Sequence, residues 1–182
     1  MSVFHSNTEM LIDYWRSRAF RGAPLRGPID PADFAPIAPQ VFVLGRAGPG
    51  SYGFRLVGEL VRELFAQDLR GVPALDLWRP RDAGPLRTAL EDARRRGAPL
   101  VVHAHALTER AALPIEVLFA PLPGDDVRPD RVLGLVQPLT LVARLQGAPV
   151  LTLALERMLS AGPAVEPAPH LRLAALNGRR IA

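Results

Sequence analysis

The chain has no cysteine and no lysine among its 182 residues. Without a thiol there is no disulfide framework, thiolate zinc site, iron–sulfur cluster, cysteine nucleophile or flavin photochemistry that adds a cysteine to the ring. Aromatic residues are scarce at 6%, and none interleaves with the clusters Arg94-Arg95-Arg96 and Arg179-Arg180, so base stacking lacks a platform there. Every long apolar stretch is broken well short of the roughly 18 residues a membrane-spanning helix needs. Glu9 and Asp13 interrupt the N-terminus before a secretory core can form. The expectation is a cytoplasmic protein with no membrane contact.

What is present fits one ordinary domain. A 19.8 kDa chain with 48% hydrophobic and 22% charged residues can bury about 70% of its unfolded surface without a metal or a crosslink. The net charge is only +4, from 22 basic and 18 acidic residues. The computed isoelectric point of 10.8 is high because every basic residue is arginine, which stays protonated far above neutrality. It does not signal a strong field.

Ser6-Asn7-Thr8-Glu9 reads as a capping box opening a helix that runs to about Phe20, with Leu11, Ile12, Trp15 and Ala19 on one stripe and Gly22 and Pro24 closing it. Five prolines then fall between Arg21 and Pro39. From Val41 the pattern alternates: Val41 to Leu44, the turn Gly48-Pro49-Gly50-Ser51, and Tyr52 to Gly58 form a hairpin. Glu59 to Phe65 is a short helix. Leu86, Leu90 and Ala93 mark another, with Glu91–Arg95 and Asp92–Arg96 pairs and Gly97 as its close. Strands follow at Leu100–Thr108, Leu113–Leu122 and Val132–Thr140. The expected architecture is α+β: a five-stranded antiparallel sheet with short helices on one face and an N-terminal amphipathic helix. Residues 1–38 supply the helix and a proline-rich connection, 39–141 the core, and 142–182 a partly flexible extension. Within that extension Val150 to Leu159 fits a helix, while Leu151, Leu153 and Leu155 alternate like a strand.

The order of elements and several motifs resemble a known family. Leu11-Ile12-Asp13-Tyr14-Trp15-Arg16-Ser17, Ile29-Asp30-Pro31-Ala32-Asp33, Phe54-Arg55-Leu56-Val57-Gly58, Phe65 and Asp68-Leu69-Arg70-Gly71 are similar to the single-domain PAS-like proteins widespread in alphaproteobacteria. The resemblance implies a sensory or regulatory module in signal transduction with no catalysis of its own. Such a module is expected to bind a protein partner or a second copy, with a small ligand as a further possibility the resemblance raises. By analogy Leu11, Ile12 and Trp15 either cover the outer sheet face or form a partner or dimer contact. Arg55 is expected in an ion pair with Asp68 or Glu63. Gly58 and Gly71 are expected in backbone conformations that other residues avoid.

Alternation puts Val102, Ala104, Ala106, Ile115, Val117 and Phe119 on one dry face. With Phe54, Leu56, Leu64 and Phe65 they either line a pocket or fill the core outright, and both readings stand. No cofactor is assigned. Haem lacks a histidine on the helix from Leu86 to Arg96, and Gln137 is either a flavin-facing amide or a partly exposed strand residue. Gly97-x5-His103-x-His105-x3-Glu109 matches the first half of a cupin metal motif, which makes a metal-dependent enzyme using His103, His105 and Glu109 an alternative. The second half of that motif is missing, and the plainer alternative is an outward histidine pair with His105 opposite Glu116. Nucleic-acid binding through the arginine clusters is a further alternative, one the capped helix end makes unnecessary.

Overall fold

A computed structural model describes residues 3–18, 31–48, 50–122 and 130–162. Six strands form one antiparallel sheet: β1 Val41–Gly48, β2 Ser51–Val57, β3 Leu100–Leu107, β4 Ala112–Leu122, β5 Arg131–Pro138 and β6 Thr152–Ser160, in the spatial order β2-β1-β5-β4-β3-β6. The helices are α1 Ser6–Arg18, α2 Glu59–Phe65 and α3 Pro80–Arg96, with 3-10 segments at Pro31–Gln40, Ala74–Leu77 and Val142–Leu145. The fold is α+β, as the sequence implies, with one strand more than expected.

Both sheet faces are covered. On the front, α2, α3 and the segment Ala74–Leu77 pack over a cluster that includes Phe42, Phe54, Val61, Leu64, Leu86, Val102, Ile115, Val117 and Phe119. On the rear, α1 and Pro31–Gln40 pack Leu11, Ile12, Trp15, Phe34 and Ile37 against Val41, Val101, Leu118, Ala120, Leu133 and Leu135. The strands divide their side chains between these clusters with period two. Burial on both faces explains why β3, β4 and β5 read as nearly continuous apolar runs rather than as polar–apolar alternation.

The sixth strand resolves the ambiguity of residues 150–159. Leu153 joins the front cluster while Leu155 and Met158 pack beside it, and β6 runs antiparallel to β3. Its register slips between His103 and Ala104, which face Arg157 and Leu155, so Glu156 is the extra residue of a bulge. The outer edge of the strand is partly occupied. Arg79 N–H donates to the Leu153 carbonyl at 3.0 Å, and the Asp82 carboxylate accepts from Leu155 N–H at 3.0 Å.

A second bulge changes the hairpin. Leu44 pairs with Phe54 but Val43 pairs with Leu56, so Arg55 is the inserted residue and the side-chain phase reverses after it. Leu56, expected beside Phe54, is therefore 48% exposed, and Val57 packs against the front cluster in its place. Arg55 lies across Gly45, where an added Cβ would meet its Nε at 2.6 Å. Among the described residues it has no ion pair with Asp68 or Glu63. Its strand position turns it away from the face on which α2 and Leu69 pack, and the Asp68 carboxylate instead accepts from Arg70 N–H at 3.0 Å.

Other expectations shift by a residue or a partner. α1 starts with His5 as its cap: Glu9 N–H donates to the His5 carbonyl at 3.0 Å and Asn7 N–H to His5 Nδ1 at 3.2 Å. In α3, Glu91 pairs with Arg94 at 3.0 Å rather than with Arg95, while Asp92 takes both Arg95 and Arg96. Gly97 closes that helix at φ 58°, and Gly71 sits at φ 81°, both left-handed as expected. Gly58 is different. Its φ of −69° is ordinary, and it is required by close approach, because a Cβ there would run into the Ala38 and Pro39 carbonyl oxygens. The expected end of α1 at Phe20, Gly22 and Pro24, the connection 19–30, the loop 123–129 and residues 163–182 lie outside the described residues. Gly58→Ala should thus lower stability by roughly 1–3 kcal/mol, as backbone overpacking does, seen as a drop of several degrees in Tm. An unchanged Tm would show that the contact with Ala38 and Pro39 yields freely.

Candidate interaction site on the rear sheet face

The buried part of the rear sheet face is apolar except for Glu116, His103 and Gln137, which lie on one row. Strand register places Gln137 beside Glu116, Glu116 beside His103, and His103 beside Arg157, a polar line crossing β5, β4, β3 and β6. Glu116 is 3% exposed and His103 9%. Buried charges are kept only where neighbouring groups compensate them, so the partners of this row matter.

They come largely from α1. The His5 backbone N–H donates to both Glu116 oxygens, at 3.1 and 3.2 Å. Asn7 Nδ2 donates to Gln137 Oε1 at 2.9 Å and to Gln40 Oε1 at 3.4 Å. Gln137 Nε2 donates to the Pro138 carbonyl at 2.6 Å. At the other end of the row, Arg157 Nη2 lies 3.1 Å from His103 Nδ1. A guanidinium only donates, so Nδ1 must accept, and the proton of the neutral imidazole sits on Nε2. Nε2 lies 3.5 Å from Glu116 Oε1, and it makes no hydrogen bond of standard length. The carboxylate also sits at the first turn of a 13-residue helix, where the exposed amides favour negative charge.

Below this fastening α1 is held by packing. Leu11, Ile12 and Trp15 are 0%, 3% and 6% exposed, and Trp15 Nε1 donates to the Pro121 carbonyl at 2.8 Å. Arg16 Nη2 donates to the Ala161 carbonyl at 2.9 Å. The three residues expected at a partner or dimer contact are therefore buried against the chain's own sheet.

The remaining candidates fall elsewhere. Phe54, Leu64, Phe65, Val102, Ala104, Ile115, Val117 and Phe119 come together in the front cluster, and Leu56 does not. None of the nine lines the cleft of about 540 Å³ that lies between the β3–β4 turn, Thr108 to Ala111, and Arg144 to Leu151. Gln137 faces the rear, hydrogen-bonded to Asn7, so it is neither a flavin-facing amide nor an exposed residue. The β3–β4 turn spans Thr108 to Ala111, which sets His103, not His105, opposite Glu116; His105 pairs with Pro114 and lies 4.0 Å from Glu156. Glu109 sits in that turn, and among the described residues no group of three or more potential metal ligands forms. His5, Asn7, Gln40 and Arg157 were not legible as site residues. The signal available was a lone carboxylate and a lone amide, Glu116 and Gln137, inside otherwise apolar strands.

Comparison with known proteins places this geometry. A family model described as a PAS domain matches residues 3–137. The chain belongs to the PAS domain family. The match includes α1, so in this PAS protein the strapped helix lies within the family region. Similar solved structures include the Rhodobacter sphaeroides LOV protein, 16% identical with a TM-score of 0.46, covering 64% of this chain and 72% of that one. An RsLOV variant has the same identity and TM-score and covers 58% and 62%. An RNA-binding Light-Oxygen-Voltage receptor is 24% identical with a TM-score of 0.40, covering 59% and 32%. This PAS chain thus spans less than two thirds of the RsLOV variant and about one third of the receptor. No curated protein matches it significantly in sequence. Among the described residues no helix is long and apolar enough to cross a membrane.

Replacing Glu116 tests the fastening of this PAS domain directly. Glu116→Ala strands the His5 amide, and a buried unsatisfied donor costs about 1–3 kcal/mol. Amide exchange across residues 6–13 should accelerate well before exchange in β3 or β4 does. Equal acceleration everywhere, or none, would show that the carboxylate does not hold the helix.

Proposed function

We propose that this PAS chain is a non-enzymatic regulatory module of the cytoplasm that passes a signal to a protein partner, or to a second copy, by releasing α1 from the rear of the sheet. The sensory and regulatory character belongs to the family. The release is supported by one observation: the start of α1 is fastened to the sheet by hydrogen bonds to Glu116 and Gln137, while the rest of the helix packs on a buried apolar cluster. Polar fastenings exchange with water, and local opening of a single helix costs less than global unfolding.

Release would expose two complementary surfaces at once. Leu118, Ala120, Leu133 and Leu135 would lose their cover, and Leu11, Ile12 and Trp15 would become an unpartnered apolar stripe. A helix of this length is marginal alone in water, so the released state gains by docking on something else. Leu11, Ile12 and Trp15 are then partner residues of the open form and core residues of the closed one.

The alternatives draw less support. A cupin-like metal enzyme needs His103, His105 and Glu109 to converge, whereas His103 is engaged by Arg157 and Glu109 lies in a turn. Phosphate binding by Arg94-Arg95-Arg96 competes with Glu91, Asp92 and Asp130, which already pair with them; Arg179-Arg180 lies outside the described residues. The test is partner capture and sizing of the wild type and Glu116→Ala from the source cell extract. The variant should capture more of a specific protein, or self-associate at lower concentration, with Trp15→Ala abolishing the gain. Two inert monomers that capture nothing would refute the reading.

A further inference from the structure

The front face carries a second row, made of rings. Gly134 on β5 lies directly opposite Phe42 on β1 and Phe119 on β4. Phe42 meets Phe54 of β2 edge-to-face at 5.4 Å and Phe119 edge-to-face at 5.8 Å. Three aromatic side chains thus span the middle of the sheet from β2 to β4, and the strand between them contributes a glycine. That glycine makes room. A Cβ on Gly134 would run into Cε1, Cε2 and Cζ of Phe42, so the ring lies over the backbone of β5 itself. Gly134 has no positive φ to explain it; close approach by a neighbour is the reason a glycine stands inside an apolar strand. Phe42 is 2% exposed and Phe119 3%.

A flavin or another planar cofactor bound between sheet and helices, as the PAS resemblance raises, would need this surface. The residues present do not fit one. The ring row covers the floor, Val61, Leu64, Phe65 and Leu86 close over it within the same cluster, and Gln137, the amide that would address a flavin from the sheet, points to the rear.

We infer that Phe42 is the built-in occupant of the PAS core: its ring, seated on Gly134 between Phe54 and Phe119, takes the place of a small-molecule ligand and closes the front face to planar cofactors. The inference is independent of α1 release, which concerns the opposite face.

Measurements on the full chain test it. Freshly purified wild type should show no flavin or haem absorbance and no added mass in native mass spectrometry. Titrated FMN should keep its free fluorescence, and benzene should leave Tm unchanged. Phe42→Ala should open a dry apolar cavity of the kind that takes benzene, and benzene should then raise the Tm of the variant by several degrees. Stoichiometric flavin in the wild type, FMN binding by it, or a folded Phe42→Ala that ignores benzene would each overturn the inference. Should Phe42→Ala fail to fold, the glycine decides. Gly134→Ala should lower Tm markedly in the wild type and far less in Phe42→Leu, because leucine lacks the three ring atoms in conflict. An equal loss in both backgrounds would show that the ring is not what Gly134 accommodates.

Discussion

Each strand of the central sheet sends successive side chains to opposite sides, and here both sides are covered, so no strand residue between β1 and β3 can be placed without regard to what lies above or below it. Most of the molecule follows from that constraint. The front side is met by short helices and is filled with rings and branched side chains. The rear side is met by a single amphipathic helix and a proline-containing segment, and there a line of polar side chains interrupts the apolar contact. Two transverse rows, Phe54–Phe42–Gly134–Phe119 and Gln137–Glu116–His103–Arg157, give the two faces different characters. One row is dry and interlocked. The other is hydrogen-bonded and reaches into the helix that covers it.

The difference has a mechanical meaning. Interdigitated aromatic packing has few alternative arrangements, so the front face behaves as a fixed scaffold. The rear row can exchange partners, since every bond it makes to α1 has an equivalent in water. A regulatory switch needs two states of comparable free energy, and the proposed release of α1 would place the second one on the rear.

Much of this was legible in the chain. Element order, the boundaries of α2 and the Gly97 closure follow from local patterns, and the apolar set Val102, Ala104, Ile115, Val117 and Phe119 follows from period two. Two of the failures are matters of register. The bulge at Arg55 moved Leu56 to the other side, and the turn at Thr108 to Ala111 set His103 rather than the expected His105 opposite Glu116. Neither is written in composition, because a bulge is settled by tertiary fit. The strand β6 was ambiguous for the same reason: Glu156 breaks its alternation. The anchoring of α1 depends on a backbone amide, that of His5, which carries no side-chain signature. Gly134 was readable in principle as an interruption of Val132-Leu133-Leu135-Val136, and only the register says which ring uses the space.

The capped margin of β6 bears on how this protein behaves when concentrated. A sheet whose last strand offers a bare row of amides and carbonyls is a template for another chain, and end-on growth begins there. Because Asp82 and Arg79 already occupy the groups of Leu155 and Leu153, and the kink at Glu156 turns the rest out of line, an arriving strand meets a carboxylate instead of an open ladder. Edge-to-edge pairing is discouraged along that part of β6.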